Sequence, residues 1–465
     1  MIGGKEMKGI RKVSKKLVAV LMIAMLACGI FSGCGNSGSS GNDGGSEDGV
    51  IKLTLWSTYG TYGMQYLKKL ADDFNKSQDK YNLEISSGTS ADGIRTKVMS
   101  SAQKDYPSLI CGTPATIANY ADANYVVPIQ KFIDSDSEDF TAQMFDAVKA
   151  SYSDKDGNMI GHPMGVSFNG YIVNLDILEK TGYKLEDLTS FEKIASIATE
   201  AVKKGHTTYG ISFASGQDMV DMLTMQGVEC LDAGNGLSGE ITKAMYQEGE
   251  TNSALKKAMN IFTQLVTDKV AMEYGSTSTN ASVFMANKLL FWKATNSSVH
   301  NMEDANSNIN WAFIPSVGVD ENAKYKGCAL SEGTGLFICD TIDEKEQQGA
   351  YEFIKFIAQK DNQNYFATGI GYVSYTKDAV EGYVKWGKEG GFPNAESVLA
   401  MLENSPADLR LPYASISNEL ADSLDEVMSK LASNPKADLD EAISGAATRI
   451  ENAIKIWKTR MKGDK

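Results

Sequence analysis

Hydrophobic and polar positions change period along the chain often enough to mark its elements. Ile51, Leu53 and Leu55 alternate with Lys52, Thr54 and Trp56, the two-residue period of a strand. Met64, Leu67, Leu70, Ala71 and Phe74 then recur at three- and four-residue spacing, which places them on one face of a helix. A second strand is expected at "YNLEIS" and a third at "SLICG", again separated by a helical pattern. Strand–helix–strand repetition predicts an α/β architecture with a largely parallel sheet. In "YSDKDGNMIGHPM" the pair Asp156-Gly157 predicts the turn of a hairpin. Near the C-terminus Ile416, Leu420, Leu424, Val427 and Leu431 share one helical face, as do Leu439, Ile443, Ala447, Ile450 and Ile454.

Ahead of the first strand the pattern is of another kind. Lys5, Lys8, Arg11, Lys12, Lys15 and Lys16 precede an uncharged apolar run, Leu17 to Ile30. That run is too short to span a bilayer comfortably but has the length of a secretory h-region. From Gly35 to Gly49 the chain is mostly Gly, Ser, Asn, Asp and Glu, a composition that buries nothing. As a flexible leash it reaches roughly 20 Å. The whole chain carries a net charge of −14, and loss of residues 1–33 removes six basic residues and one acid, giving −19. An acidic chain without a basic block argues against nucleic acid and anionic membrane as partners. The remaining length, about 430 residues, exceeds a single core and predicts two lobes. Cys111, Cys230, Cys328 and Cys339 form no CxxC pair and no zinc spacing, so buried free thiols are expected, with a disulfide left open.

Few motifs survive a test of context. "GNGLSG", Gly234 to Gly239, spells GxGxxG, but no strand leads into it and no acid follows at the required distance, so a surface loop is expected. "DSDSED" and "DKDGN" do not have the glycine and closing Glu of a calcium loop at the right offsets and read as solvated turns. His162, His206 and His300 are too scattered for a metal set, and neither GxSxG nor HExxH occurs. Nothing here argues for an enzyme, a metal or a cofactor. What remains is a series of aromatic and amide-rich segments at expected strand ends: "WSTYGTYG", "SSGTSADG", "CGTPAT", "GVSFNGY" and "FWKATNSS". In open α/β sheets ligands bind at the carboxyl ends of strands. Aromatic faces with Asn, Ser and Thr suit a neutral polyhydroxylated ligand, whose C–H faces stack while its hydroxyls bond. For a single aromatic, core packing is the ordinary role; the recurrence across strand ends carries the argument.

These segments resemble family 1 extracellular solute-binding proteins of bacterial ABC importers over nearly all of residues 50–460. "IKLTLWSTYG" is similar to the family's first strand and binding loop, and "YPSLICGTPATIANYADANYVVPIQKFI" to its strand–turn–helix passage. "GHPMGVSFNGYIVNLDILEKTGY" resembles the first lobe crossing, and "AYEFIKFIAQKDNQNYFATGIGYVSYTKDAV" the late helix pair with the loop after it. "FSGC" resembles the lipobox of bacterial lipoproteins, with Phe31 where Leu is usual; "MLAC", ending at Cys28, is a rival site inside the apolar run. The resemblance implies a lipid-modified Cys34, a signal peptide over 1–33 and a linker over 34–49. It implies a two-lobed, periplasmic-binding-protein-like fold with crossing strands that closes like a flytrap. Lobe 1 is expected at 50–162 plus 329–376, lobe 2 at 163–328 plus 377–465. The contacts it implies are Tyr59, Thr61, Thr89, Ser90, Thr113, Thr116, Asn169, Trp292, Asn296, Gly333, Thr334 and Tyr372. The implied protein is a monomer, anchored on the outer face of the cytoplasmic membrane, that hands a mono- or oligosaccharide to an ABC permease. A second ligand stays open, because "LRLPYASISNELADSLDEVMSKL" resembles the tail of glycerol-3-phosphate-binding members and aligns their arginine with Arg410. Arg410 could fork onto a phosphate or simply cap helix carbonyls. An exported glycosidase is the remaining, more distant reading.

Overall fold

The computed structural model describes residues 49–463, apart from 88–89, 276, 301, 303–307 and 341–342. Cys34, the segment before it, the leash and Thr89 lie outside the described residues.

The first sheet begins where the alternation predicts. Strand β1 (Ile51–Ser57) pairs in parallel with β2 (Tyr81–Ser87) along its whole length and with β3 (Leu109–Gly112) at its end. Between β1 and β2 runs helix α1 (Thr61–Ser77), which buries Met64, Leu67, Leu70, Ala71 and Phe74, the face its spacing foretold. Helix α2 (Ala91–Ser100) joins β2 to β3, and α3 (Ile117–Asp122) follows β3. After the short β4 (Val126–Val127) and helix α4 (Asp146–Ser151) the chain makes the expected turn. Ser153 bridges Met159 in antiparallel fashion, and Gly157 takes φ +88°, a left-handed value that favours glycine. Strand β5 (His162–Ser167) then leads straight into β6 (Asn169–Asn174), which belongs to a second sheet.

That second sheet has the order β7 (Tyr209–Ile211), β8 (Leu289–Thr295), β6, β9 (Trp311–Pro315). Around it stand α5 (Leu175–Thr181), α6 (Phe191–Lys203), α7 (Gln217–Gln226), α8 (Gly249–Thr267) and α9 (Thr277–Met285). The chain returns through β10 (Glu332–Cys339), which inserts into the first sheet antiparallel to β3, β4 and β5. In the second sheet β6 runs antiparallel to both β8 and β9, and only β7 and β8 are parallel. The expectation of largely parallel sheets is therefore corrected to mixed ones. Parallel order holds among β1, β2 and β3 and between β7 and β8, whereas β10 arrives from the other lobe and enters antiparallel.

Two hydrophobic clusters form the core, and the second sheet is packed between them, with Ile172, Leu289, Trp292 and Phe313 on the side of the first cluster. Leu53, Leu55, Leu109, Ile110, Leu336 and Phe337 belong to one cluster, and Tyr171, Val173, Ile194, Leu290 and Phe291 to the other. Helices α10 (Glu344–Ala358), α11 (Lys360–Ile370), α12 (Val380–Lys388) and α13 (Ala395–Glu403) follow β10. Phe353, Phe366, Tyr383, Val398 and Leu402 from them join the first cluster. The last two helices, α14 (Ser417–Ser433) and α15 (Leu439–Gly463), bury their predicted faces in the second. Among the described residues no helix is long and apolar enough to cross a membrane.

Candidate functional site

Three hydroxyls from distant parts of the chain meet beside the lobe crossing. Tyr59 follows β1, and its backbone N–H donates to the buried Ser57 hydroxyl at 3.1 Å. The Tyr59 and Tyr372 hydroxyls lie 3.5 Å apart, and Tyr372 is 3.3 Å from Thr334 Oγ1. Phe366 packs edge-on against both tyrosine rings and fixes their directions. Burial pushes both phenols above their ordinary pKa, so they stay protonated as donors. Gly333, next to Thr334, has φ +95°, and a Cβ there would meet Ser167 N at 2.9 Å and Gly165 O at 3.0 Å. This is the close approach of β10 to β5 that lets Thr334 reach the cluster.

A second polar group lies where β6 starts and β10 begins. Asn169 Nδ2 donates to Asp221 Oδ2 at 2.7 Å and to Ser331 Oγ at 3.2 Å. Gln217, one turn before Asp221 on α7, donates to its other oxygen at 2.8 Å. The buried Lys293 ammonium donates to Ser316 Oγ at 2.6 Å and stands 3.9 Å from Asp218. Burial pushes Asp221 up to about 6, against the pull of Lys293. It pushes Glu332 up to about 7, with repulsion from Asp221 and Asp218 adding to the effect. The floor of the crossing is therefore rich in carboxyl groups, good acceptors for hydroxyl donors and poor company for an anion.

The other expected contacts fall into different roles. Asn296 is wholly buried: its Oδ1 accepts from Ser167 Oγ (2.9 Å) and Phe168 N (2.8 Å), and its Nδ2 donates to Gly371 O (2.9 Å). Trp292 sits in the middle of β8 opposite Ile172, is 6% exposed and packs on Phe284. Thr61 is the exposed first residue of α1, and Ser90 caps α2 by accepting from Gly93 N at 3.2 Å. Thr113 offers its carbonyl to Thr116 Oγ1 at 2.8 Å. Arg410 donates to the carbonyls of Ser153 (2.5 Å) and Asp154 (3.4 Å), just beyond the end of α4. The cavity it lines holds about 20 Å³, room for one water and not for a phosphate. Tyr59, Gly333, Thr334 and Tyr372 are thus brought together, Asn169 and Asn296 sit at the crossings, and Thr61, Ser90, Trp292 and Arg410 stand apart. Asp218, Asp221, Lys293 and Glu332 were not foreseen. Their signal was a lysine inside the apolar run "LLFWKAT" and two acids three apart in "QDMVDM".

A larger cavity, about 490 Å³, opens between α3 and α15, with Arg95, Arg449 and Arg460 among its lining. Thr116 and Asn119 line it from the first lobe, and Asn418, Asn452 and Trp457 from α14 and α15.

Two sheets joined by crossing strands define the class of two-lobed binding proteins. Residues 69–394 match the family of bacterial extracellular solute-binding proteins, and the chain belongs to that family. Solved structures share the fold at low identity. One is the sugar-binding protein MalE of Xanthomonas citri, with TM-score 0.73 and 14% identity over 89% of this chain and 99% of that one. An ABC substrate-binding protein from Listeria monocytogenes in complex with cycloalternan gives 0.69 and 15% over 88% and 99%. The cyclic alpha-maltosyl-1,6-maltose binding protein of Arthrobacter globiformis gives 0.68 and 15% over 88% and 100%. No curated protein matches the chain.

Proposed function

We propose that the protein captures a mono- or oligosaccharide between its lobes and delivers it to an ABC permease, held at the outer face of the cytoplasmic membrane by lipid on Cys34. The observation that carries this reading is the meeting of the Tyr59, Thr334 and Tyr372 hydroxyls beside the carboxyls of Asp221 and Glu332. Such a floor accepts from and donates to sugar hydroxyls without needing a charge on the ligand. The names of the similar structures, maltose and cyclic oligosaccharide binders among them, favour the same class. A glycerol phosphate would need a free cationic fork, and the Arg410 guanidinium is already spent on two backbone carbonyls. The protein is further read as a monomeric binder without turnover, and its membership of a family of binding proteins supports the second part of that reading.

Thermal-shift measurements on residues 50–465 against sugars and glycerophosphodiesters test the ligand class. A ligand at a hundred times its Kd adds about 2.7 kcal/mol to stability, so a true hit raises the melting temperature visibly. Response to phosphodiesters alone would sink the sugar reading. For the anchor, Cys34→Ala expressed in a Gram-positive host is expected to release the protein into the medium. Mass spectrometry that finds an unmodified mature N-terminus elsewhere would end that idea.

A further inference from the structure

We propose that the sugar this protein takes carries a protonated amine, and that Glu332 is the side chain that receives it. This rests on the reading of the protein as a sugar binder and narrows the substrate class. Glu332 opens β10 and pairs with Ser167 of β5 at the lobe crossing. It is the one residue of β10 that is not buried, and two positions on stands Thr334 of the hydroxyl cluster. Asp218 and Asp221, three residues apart on α7, both repel its charge, and the Tyr372 phenol feels it in turn. Asp425 adds repulsion at Asp218. The cation that bears on this group is Lys293, whose pull falls on Asp218 and Asp221 and whose ammonium is already bonded to Ser316 Oγ at 2.6 Å.

The three carboxyls are unequally provided for. Asp221 accepts from Asn169, Gln217 and Ser331. Asp218 Oδ2 accepts from the N–H groups of Ala214 and Ser215, at 2.7 and 3.4 Å. Its Oδ1, wholly buried, has no hydrogen-bond partner and stands 3.9 Å from Lys293. Among the described residues no hydrogen bond or ion pair reaches the Glu332 carboxyl. The most exposed of the three acids is thus the unpaired one. A group with more carboxyls than cations favours a positive guest, and salt screens that preference weakly in a partly buried site. An ammonium beside Glu332 makes a charge-assisted hydrogen bond, about twice as strong as one from a hydroxyl. It also offsets the burial and repulsion that push the Glu332 carboxyl up to about 7. The ligand's hydroxyls then meet Tyr372 and Thr334, 3.3 Å apart beside it.

Isothermal titration of the mature chain at pH 7 with matched sugars provides the test. The panel is glucose and galactose, their 2-amino and 2-acetamido forms, the β-1,4-linked disaccharides of glucose, glucosamine and N-acetylglucosamine, and maltotriose. Wild type is expected to bind at least one amine roughly thirtyfold more tightly than its hydroxyl and acetamide counterparts. In Glu332→Gln the three forms should bind within roughly threefold of one another, with no fall in melting temperature, so that lost folding is not the cause. From pH 5 to 7 the Glu332 carboxyl gives up its proton, and wild-type affinity for the amine should climb at least about tenfold. Asp221 titrates in the same window but is present in both proteins, so the flatter profile of Glu332→Gln isolates Glu332. Equal or tighter binding of the hydroxyl or acetamide forms, or an amine preference that survives in Glu332→Gln, would overturn the proposal and leave the sugar reading standing. Failure of the wild type to bind any sugar of the panel would overturn both.

Discussion

Asn296 offers the sharpest separation between a ligand contact and a structural clamp. Its side chain holds the Ser167 hydroxyl, the Phe168 N–H and the Gly371 carbonyl, all at 2.8–2.9 Å and with no exposed surface. Those partners come from the β5–β6 crossing and from the turn after α11, so one amide ties three segments at the junction of the lobes. In Asn296→Ala all three partners lose their bond inside a buried space. At about 1–3 kcal/mol for each buried unpaired group, tempered by one water entering the vacated volume, the loss sums to about 3–5 kcal/mol. For a chain of 465 residues, an unfolding entropy of about 2.1 cal/mol/K per residue makes each kcal/mol worth about 1 °C. Scanning calorimetry at pH 7 should therefore show a fall of about 3–5 °C. Asn296→Asp sharpens the test: its carboxylate still accepts from Ser167 and Phe168 but faces the Gly371 carbonyl without a proton. That variant should be destabilised at pH 8 and recover toward pH 5 as the carboxyl protonates. If Asn296→Ala melts within 1 °C of the parent while losing sugar affinity, the clamp argument is wrong.

Trp292→Ala should cost about 3–5 kcal/mol in urea unfolding while sugar affinity holds, because the indole fills the space beside Phe284; lost affinity at unchanged stability would refute this placement. Folded Glu332 and Asp221 keep their protons up to about 7 and about 6, whereas the unfolded chain releases them near the ordinary values of about 4.3 and 3.9. The native state therefore binds more protons between roughly pH 4 and 7, and stability drops as pH rises through that window. Glu332→Gln should accordingly raise the melting temperature at pH 8 and leave it nearly unchanged at pH 4; an equal change at both would count against the buried carboxyl pair. Burial pushes the Cys111 and Cys230 thiols up to about 12, and Cys328 and Cys339 upward as well, so residues 50–465 should not react with Ellman's reagent until denatured. A thiol titrating within seconds in the native protein at pH 8 would contradict their burial.

What the sequence disclosed depended on whether burial leaves a periodic trace. Helices α1, α14 and α15 each bury one face, and their apolar residues return at helical spacing along that face. The direction of β10 leaves no such trace, because the sense of a strand against its neighbours is set by the lobe the chain has just left. The strand-end loops were legible as places, and Tyr59, Thr334 and Tyr372 do gather there. The roles of single side chains were not. "LLFW" is a continuous apolar run, the mark of a strand covered on both faces, and Trp292 accordingly lies in the core. Ser90 sits where a helix begins, and its hydroxyl caps the backbone instead of waiting for a ligand.

Arg410 bears on how such lobes could move. Its segment is held alternately by both sides. Arg410 bonds the carbonyls of Ser153 and Asp154, and Ser415 bonds Asp122, all in the first lobe; Tyr413 N–H bonds the Asn235 carbonyl in the second. Asn169 with Asp221 and Ser331, and Asn296 with its three partners, do the same at the other crossings. Breaking these bonds on every cycle would leave several buried groups unpaired at about 1–3 kcal/mol each, and the sum would rival the whole −8.2 kcal/mol of a micromolar ligand. A ligand can shift an equilibrium only by its differential affinity for the two states. If the lobes hinge, these polar junctions survive opening, with rotation absorbed in backbone torsions beside them.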